Sequence, residues 1–483
     1  MGPLALPAQD ARRSDASPAL VVNDIHSRLN PTHVRRIERP NDVEALVRVV
    51  RRAREAGESI SIGGGRHAMG GQQFGEDCVL VDTRNLARIV ALDVERGLVT
   101  VEAGIQWPEL LAGLDRLQTG RDSRWGIVQK QTGADRLTLG GALACNAHGR
   151  GLTLPPIIGQ VEAFDLVDGS GNLRHCSRTE HPELFRLAIG GYGLFGVVAR
   201  VQLRLRPRVK VRRVVRLVRT EQVIDLLEER IRDGYEYGDF QFMTDERAGD
   251  DFLGLGICAC YQPVPDATLM TVRPIGFSAA DWARLATLAH TDKRRAFDEY
   301  ATRYLETCGQ IYWSDAQMSS PYADDYHAEI DRACGATVAG SEMIGEIFVA
   351  RRELAAFMTN ARRELRRLRA NVIYGTVRLI ERDDESFLAW AKDRYACVVF
   401  NLHVDHTRDA IARASGAFRV LIDLGLAHGG GFYLTYHRWA WRDQVERAYP
   451  EMRPFLALKR RHDPDGLFQS SWYRHYAATF GRP

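Results

Sequence analysis

Several features that mark specialised classes of protein are missing from this 483-residue sequence. Its eight cysteines include no paired CxxC spacing, so we expect reduced thiols and neither a zinc site nor a disulfide framework. No apolar run reaches the roughly 18–20 residues that a membrane-spanning helix needs. The N-terminal stretch lacks both a basic start and a long apolar core, so it does not read as a signal peptide. We predict a cytoplasmic protein with no metal site and no transmembrane segment.

Neither sign of charge dominates the chain. Its 65 basic and 62 acidic residues leave a net charge of +3, which is too balanced for a nucleic-acid-binding surface. The densest basic stretch, Arg362–Ala370, has leucines at helical spacing and reads as the solvated face of a helix. Hydrophobic residues make up 45% and charged residues 26%, as in an ordinary globular enzyme, and the length predicts two or three domains.

Glycine, by contrast, is plentiful and clustered. The first cluster, SISIGGGRHAMGG (59–71), follows a helical pattern that we expect Asn41 to cap, with Glu44 completing a capping box. Consecutive glycines let backbone N–H groups approach an anion closely, and Arg66 adds positive charge. The cluster is therefore predicted to wrap a diphosphate, although a plain glycine turn between strand and helix would have the same composition.

A second cluster, TLGGALACNAHGRG (138–151), lies about 70 residues further on. Two such loops can hold one extended cofactor from both ends. A third glycine motif, GGYGLFG (190–196), matches G-x-G-x-x-G, but a predicted helix precedes it and a predicted strand follows it. A Rossmann fingerprint needs the opposite order, so we reject that interpretation.

Four motifs in this order resemble the vanillyl-alcohol oxidase family, also called the PCMH-type FAD-binding fold. They are SIGGGRHAMGG, VTVEAGIQWPELLAGL, TLGGALACNAHGRG and ELFRLAIGGYGLFGVVARVQLRLRP, within residues 30–207. The remainder, with its closing KRRHDPDGLF, is similar more loosely to the sugar-oxidising branch: alditol oxidases, sugar-lactone oxidoreductases and decaprenylphosphoryl-ribose oxidase. The resemblance implies an FAD-dependent oxidoreductase.

The resemblance also implies an α+β architecture. We expect a PCMH-type FAD-binding domain of two subdomains over residues 26–208, after a disordered tail over 1–25. Alternating strand and helix patterns over 209–435 predict a substrate (cap) domain with an antiparallel sheet under helices. Residues 436–483 are expected to return to the FAD-binding domain.

In the family, a histidine after the first glycine loop is often bonded to the flavin, and His67 occupies that place. Some relatives hold FAD without a covalent bond, so a hydrogen-bonding role for His67 stays open. By resemblance, the cofactor-binding residues are Ile62, Gly63, Gly64, Gly65, Arg66, His67, Ala68, Gly70, Gly71, Thr132, Gly133, Thr138, Gly140, Gly141, Cys145, Asn146, Ala147, His148, Gly149 and Val197.

Candidates for catalysis lie in the second half of the chain. His437, in GGGFYLTYHRWAW (429–441), falls where sugar-oxidising relatives place a base over the flavin, but their lysine is absent here. Tyr374 and Arg378 alternate along one predicted strand, and Asn401 and His403 alternate along another, so each pair shares a face. Glu346 is a weaker candidate than any of these.

We therefore predict oxidation of a CH–OH group of a polyol, sugar or sugar-derived substrate by hydride transfer to flavin N5. A 2-hydroxy-acid dehydrogenase, with Arg378 holding the carboxylate, is one alternative. A non-catalytic flavin- or sugar-binding protein is another. The electron acceptor is a quinone, another carrier or O₂. Ala147 falls where a residue guards oxygen access in sugar-lactone relatives, and its methyl group favours a dehydrogenase.

Overall fold

A computed structural model of the chain describes residues 20–121, 124–320 and 326–480. Most of the predicted tail over 1–25 lies outside these residues, but its last part is ordered. Strand β1 (Leu20–Val22) pairs antiparallel with β2 (Thr32–Val34), and the chain between them approaches the first glycine cluster, where Ile25 N donates to Arg66 O (3.1 Å). The tail prediction is therefore wrong from Leu20 onward.

A small parallel sheet leads into the first glycine cluster. Its order is β3 (Arg36–Glu38), β5 (Val79–Asp82) and β4 (Ile60–Gly63), with helix α1 (Val43–Glu55) between β3 and β4. The predicted helix and strand are confirmed. The predicted cap is not, because the Asp42 side chain accepts from Ala45 N (2.6 Å), whereas Asn41 bonds Asn85.

A second, antiparallel sheet carries the other glycine cluster. Its strands are β6 (Ile89–Asp93), β7 (Leu98–Glu102), β8 (Trp125–Ile127), β9 (Val161–Val167), β10 (Leu173–Ser177) and β11 (Val197–Pro207), and its helices are α2 (Trp107–Leu117), α3 (Leu139–Cys145) and α4 (Pro182–Ala188). The strand order is β10-β9-β11-β7-β6, and β8 pairs with β11. The predicted β9–β10 hairpin is confirmed. Helix α4 precedes GGYGLFG and β11 follows it. This helix-then-strand order is the predicted one, and it excludes a Rossmann fingerprint at this motif.

An eight-stranded antiparallel sheet forms most of the remainder. Its strands are β12 (Lys210–Arg219), β13 (Tyr237–Phe242), β14 (Leu255–Val264), β15 (Ile311–Trp313), β16 (Gly340–Ala350), β17 (Val372–Ile380), β18 (Tyr395–Asp405) and β19 (Gly431–Phe432), in the order β15-β12-β14-β13-β17-β18-β16-β19. Its helices are α5 (Val223–Arg232), α6 (Ala279–Thr291), α7 (Lys293–Glu306), α8 (His327–Ala333), α9 (Leu354–Arg367) and α10 (Arg408–Ala427). The predicted α+β class with an antiparallel sheet is confirmed.

The last part of the chain runs back to the parallel sheet through α11 (Arg442–Ala448), α12 (Met452–His462) and α13 (Ser471–Phe480). Between α12 and α13, Ile60 N donates to Leu467 O (2.7 Å) and Gln469 N donates to Ile60 O (2.8 Å). The division of the chain at residues 208 and 435 stays a prediction. Within the described part of the chain, no helix is both long enough and apolar enough to cross a bilayer.

Candidate active site

A cavity of about 1210 Å³ extends from the two glycine clusters to the face of the eight-stranded sheet and to helices α6 and α7. Pockets for a single drug-sized ligand are usually about 300–1,000 Å³. The cavity therefore has room for a cofactor together with a second molecule. Its lining joins groups that are far apart in the sequence, from His26 to Tyr436.

The two glycine clusters touch, and their contact explains why glycine is needed. A Cβ atom on Gly64 would overlap the Thr138 side chain, and one on Gly65 would overlap the carbonyl oxygen of Arg136. A Cβ on Gly140 would lie 3.0 Å from the carbonyl oxygen of Ala103. Thr138 also caps α3, since its hydroxyl accepts from Gly141 N (3.3 Å). The close approach leaves a wall of bare backbone along the cavity.

Most of the predicted cofactor-binding residues line this cavity. These are Ile62, Gly64, Gly65, Arg66, His67, Ala68, Thr132, Gly133, Thr138, Gly140, Gly141, Cys145, Ala147 and His148. Six others, Gly63, Gly70, Gly71, Asn146, Gly149 and Val197, are not among the described residues of the lining. For two of these six, Val197 and Asn146, the structure shows why the side chain does not reach the cavity.

Val197 and Asn146 both point away from the cavity. Successive side chains on a strand face opposite sides, so on β11 Val198 lines the cavity whereas Val197 is fully buried in the core beside the parallel sheet. The Asn146 amide donates to Asp383 (2.8 Å), and its oxygen accepts from Ile158 N (3.1 Å). Asn146 thus ties the second glycine loop to the segment between β17 and β18.

The first glycine loop presents Arg66 and His67 to the cavity. Arg66 has a left-handed backbone (φ 61°), and its guanidinium lies 3.6 Å from Asp82. His67 Nδ1 lies 2.8 Å from Nε2 of His26, a residue of the segment between β1 and β2. Burial, together with the nearby His67, holds the pKa of His26 well below its usual value. His26 is therefore uncharged at neutral pH, and sequence reasoning missed it because no local motif links it to His67, 41 residues further on.

The second glycine loop presents His148 to Glu346 on β16. His148 Nε2 lies 2.6 Å from Glu346 Oε1, and His148 Nδ1 lies 3.1 Å from the carbonyl oxygen of Gly149. Both ring nitrogens of His148 therefore lie within hydrogen-bonding distance of an oxygen acceptor. Burial raises the pKa of Glu346, but His148, Cys397 and Arg378 together outweigh burial, so the pKa lies below its usual value.

Two further side chains complete the surroundings of Glu346. The Tyr436 hydroxyl donates to Glu346 Oε2 (3.2 Å), and the Cys397 thiol donates to Oε1. Burial raises the pKa of Tyr436 and of Cys397 well above their usual values, so both stay protonated and act as donors. Glu346 is thus a buried carboxylate that accepts from three side chains, and both Glu346 and Tyr436 line the cavity.

The eight-stranded sheet places other predicted residues on the cavity wall. Tyr374 of β17 and Ile344 of β16 both lie opposite Asn401 of β18, so the three share one face. Asn401 donates to Glu342 Oε2 (2.5 Å), while its own oxygen is buried without a hydrogen-bond partner among the described residues. Arg378 also lines the cavity, and its Nε is buried and likewise unpartnered within the described part of the chain.

A second carboxylate, Glu342, lies on the same strand face as Glu346. It accepts from His290 (3.3 Å), from the Tyr326 hydroxyl and from Asn401. Burial raises its pKa, but these donors outweigh burial and lower the pKa to about 2. Glu342, Ile344 and Glu346 alternate along β16, and this spacing of two acids in an apolar strand was the signal that could have identified the face.

His437 and His403 lie elsewhere. His437 is buried against Phe418 (ring centroids 4.6 Å apart) and Trp439 (4.9 Å), and it is not among the cavity-lining side chains of the described residues. Burial lowers the pKa of His437 to about 3. The His403 ring packs edge-on against His290 (4.9 Å) and lies 3.3 Å from Asp405. The chain leaves the sheet at Phe432, so strand alternation does not govern the direction of His437.

Comparisons with known proteins agree with this geometry. Residues 34–177 match a family described as an FAD binding domain. Cytokinin dehydrogenase 2 of Oryza sativa subsp. japonica is 30% identical over 270 residues, which are 52% of this chain and 46% of that protein. L-gulonolactone oxidase of Bos taurus is 26% identical over 194 residues, 40% of this chain and 42% of the relative. The matches thus span less than half the length of these relatives.

A solved structure titled solvent-stable cholesterol oxidase shares the fold, with a TM-score of 0.67 and 16% identity over 92% of this chain and 95% of the other. The bare-backbone wall of the two glycine loops fits an extended dinucleotide, because its N–H groups are not screened by side chains. The cavity beyond that wall leaves space for a substrate. Residues 34–177 thus match an FAD binding domain, the two glycine loops fit that match, and FAD is the cofactor that they indicate.

Proposed function

We propose that the protein is an FAD-dependent oxidoreductase that oxidises a CH–OH group of a polyol, sugar or sugar-derived substrate. One observation supports this most strongly: a single cavity is lined by the FAD-binding glycine loops and by the Glu346–Tyr436 pair. FAD, when bound, supplies the hydride acceptor of the reaction. The chain must then bind the alcohol, orient its carbon and remove the hydroxyl proton.

Tyr436 and Glu346 are proposed to remove that proton. The Tyr436 hydroxyl already donates its hydrogen to Glu346 Oε2, so its oxygen lone pairs are available to accept from a substrate hydroxyl. A proton arriving at Tyr436 displaces the tyrosine proton to the Glu346 carboxylate. The lowered pKa of Glu346 keeps this carboxylate ionised at neutral pH. This pair takes the role that the sequence suggested for His437, which lies off the cavity wall.

Arg378 and Tyr374 are proposed to orient the substrate. The Arg378 guanidinium lies on the cavity wall, and its positive charge helps to lower the pKa of the Glu346 carboxyl. Tyr374 is 42% exposed and faces the same space. A fixed positive charge and a phenol hydroxyl can together hold the oxygen atoms of a polyhydroxylated substrate. His403, outside the lining, has no contact role in this proposal.

His67 is proposed as a covalent anchor for FAD. It lines the cavity within the first glycine loop, and its Nδ1 is engaged by His26, so Nε2 is the nitrogen proposed to form the bond. The neutral His26 can accept a hydrogen bond from His67 Nδ1, which fixes the proton of the His67 ring on that nitrogen.

We also propose that electrons pass to a quinone or another carrier in preference to O₂. Ala147 lines the cavity in the second glycine loop and is only 5% exposed. In a closely packed wall, one methyl group is enough to narrow a route for a small molecule. Glycine at this position would open that route.

The relatives support an oxidoreductase more strongly than they support one substrate. L-gulonolactone oxidase is named for a sugar lactone, whereas cytokinin dehydrogenase 2 is named for a cytokinin. A second candidate activity is oxidation of a 2-hydroxy acid. It is favoured by the buried, unpartnered Nε of Arg378 among the described residues, because guanidinium groups bind carboxylates well.

A substrate screen with the holoprotein tests these alternatives. Under anaerobic conditions, polyols, sugars and sugar lactones are mixed singly with the oxidised protein, and bleaching of the flavin absorbance is followed. We expect at least one polyol or sugar to bleach the flavin, while matched 2-hydroxy acids do not. Bleaching by 2-hydroxy acids alone would replace the first proposal by the second. No bleaching by either class would contradict both.

A further inference from the structure

The end of the cavity formed by α6 and α7 is aromatic. We call it the aromatic chamber and define it by five residues: Phe277, Trp282, Phe297, Tyr300 and Tyr304. The Phe277 and Tyr300 rings stack at 5.6 Å within 8° of parallel, and Tyr300 and Tyr304 stack at 5.0 Å. The Tyr300 hydroxyl donates to Gln241, so its polar atom is satisfied and its ring remains an apolar surface.

Helix α6 adds a face of small apolar residues to the chamber. Ala279, Ala283, Ala286 and Ala289 line the cavity beside Trp282, yet Leu285 is the helix's one buried residue within the described structure. A helix in a folded domain normally buries its apolar face against protein. The alanine face of α6 instead borders the cavity, and the small alanine side chains leave room there for a bound group. We infer that a group other than the described residues covers this apolar face of α6.

Apolar side chains are also exposed in and beside the loop that precedes α6. Leu269 and Val272, in the loop before α6, are 86% and 92% exposed. Ile275 and Trp282, at 41% and 40%, are exposed and also line the cavity. Exposed apolar patches of this kind usually mark a binding surface. Ile275 and Trp282 thus extend the apolar lining of the chamber to the outer surface of the protein.

The other end of the same cavity has unsatisfied polar groups. Arg378 and Asn401 are 7% and 8% exposed, and Arg378 Nε and Asn401 Oδ1 have no hydrogen-bond partner in the part of the chain that the structure describes. Buried polar atoms are nearly always paired, so these two point to a polar group that binds beside them. The cavity is polar at the sheet and apolar at α6.

We propose that the substrate is an amphiphilic alcohol, whose apolar ring system or alkyl chain occupies the aromatic chamber while its hydroxylated head lies at Arg378 and Asn401. This inference rests on the proposed function and narrows its substrate class. A free sugar or short polyol would leave the α6 face and the stacked rings in contact with water. An apolar body of the substrate removes that surface from water, and its burial supplies binding free energy far from the reacting carbon.

The test measures binding to the holoprotein after its flavin has been reduced with dithionite under anaerobic conditions, so that no turnover occurs. The probes are glucose, butyl glucoside and octyl glucoside below its micelle concentration, titrated by calorimetry. Each buried methylene should tighten binding about fourfold, so octyl glucoside, with four more methylenes, should bind on the order of a few hundredfold more tightly than butyl glucoside. Affinities equal within about twofold for all three would overturn the proposal.

Two variants locate the apolar end in the chamber. Ala286→Phe fills the space, and Trp282→Ala removes part of the wall, so both should flatten the dependence on chain length while glucose binding is unchanged. Trp441→Ala is the matched control, because Trp441 is similarly exposed (54%) but is not among the described residues of the lining. The FAD content of each purified variant verifies that it has folded. If Ala286→Phe loses FAD, the chain-length dependence of Trp282→Ala alone tests the assignment to the chamber. A chain-length dependence unaltered in Trp282→Ala would contradict the assignment to the chamber.

The outcomes separate this inference from the proposed function. In the oxidised protein, bleaching by glucose and by octyl glucoside at equal apparent affinity would support the activity and overturn the amphiphilic substrate. Tight, chain-length-dependent binding with no bleaching by any alcohol would retain the apolar chamber and contradict CH–OH oxidation.

Discussion

The imidazole Nε2 of His148 lies 2.6 Å from the carboxylate Oε1 of Glu346, which joins the second glycine loop to strand β16 of the eight-stranded sheet. The two residues are 198 positions apart in the chain. Each is almost completely buried, so the pair interacts with little screening by water. The eight-stranded sheet thus holds His148 of the second glycine loop in place through Glu346. The proposed proton transfer depends on the glycine loop and on the sheet together.

Glu346→Gln tests the proposed proton acceptor. The amide keeps the size of the side chain but cannot take a proton, so flavin reduction in a single turnover should slow by about 10²–10⁴-fold. Tyr436→Phe should give a loss in the same direction. Tyr433→Phe is the matched control, because the Tyr433 hydroxyl donates to the Cys145 carbonyl oxygen instead of to Glu346. Reduction of Glu346→Gln at the wild-type rate would exclude this role.

His67→Ala tests the covalent anchor. Wild-type protein should keep its yellow colour after denaturation, and its mass should exceed the chain mass by one FAD. His67→Ala should release all its flavin, and His26→Ala should lower the covalently bound fraction, because His26 holds His67 Nδ1. His33→Ala, in which an exposed histidine is removed, should behave as wild type. Complete release of flavin from the denatured wild type would show non-covalent binding.

Ala147→Gly tests oxygen access. Removing the methyl group from the cavity wall should speed reoxidation of the reduced flavin by air, with little change in its reduction by substrate. Stopped-flow absorbance measures the two half-reactions separately. Rapid peroxide formation by the unmutated protein would contradict the dehydrogenase proposal. An unchanged oxygen rate in the variant would show that Ala147 is not the barrier.

Gly64→Ala tests the contact between the two glycine loops. Its Cβ would overlap Thr138, so the loops must separate, and the variant should purify with much less FAD than wild type. Gly416→Ala is the control, because a Cβ at that helical position meets no atom within 4 Å. It should retain FAD and gain about 0.5–1 kcal/mol in its free energy of unfolding. Full FAD content in Gly64→Ala would mean that the loops tolerate the extra atom.

Glu342→Gln tests a pH dependence of stability. The pKa of Glu342 is lowered from 4.5 to about 2 in the folded state, so the unfolded chain binds its proton first as the pH falls. The stabilisation is complete above about pH 4.5 and is lost between about pH 4.5 and 2. Urea unfolding across this range should show a smaller loss of stability in Glu342→Gln than in wild type. Parallel curves for the two proteins would contradict the assignment.

The sequence predicted the parts of the site that depend on the backbone. The loops at Gly64 and Gly140 were recognisable because their tight contacts exclude side chains, which leaves a local pattern. The β9–β10 hairpin was predictable for a similar reason, since strand alternation and a glycine turn are local signals. In the glycine loops and in this hairpin, the residues that are close in sequence are sufficient to predict the local structure.

The substrate side was harder to predict because it depends on pairings between distant segments. Glu346 faces the cavity through the register of β16 with β18, and that register is not evident from either strand alone. Tyr436 and His437 are neighbours, but they lie in a loop beyond β19, where period-two alternation no longer applies. His26 meets His67 across 41 residues, and no local pattern in either segment indicates that contact.

The hydrogen bonds from Ile60 to Leu467 and from Gln469 to Ile60 bear on when the protein acquires its cofactor during biosynthesis. Strand β4 leads directly into the first glycine loop, and one of its neighbours is this late segment. A ribosome-bound chain that has not yet released residue 469 lacks that neighbour, so its glycine loop has incomplete support. FAD capture is therefore expected to require synthesis of the chain through Gln469, well beyond the residues that form the glycine loops.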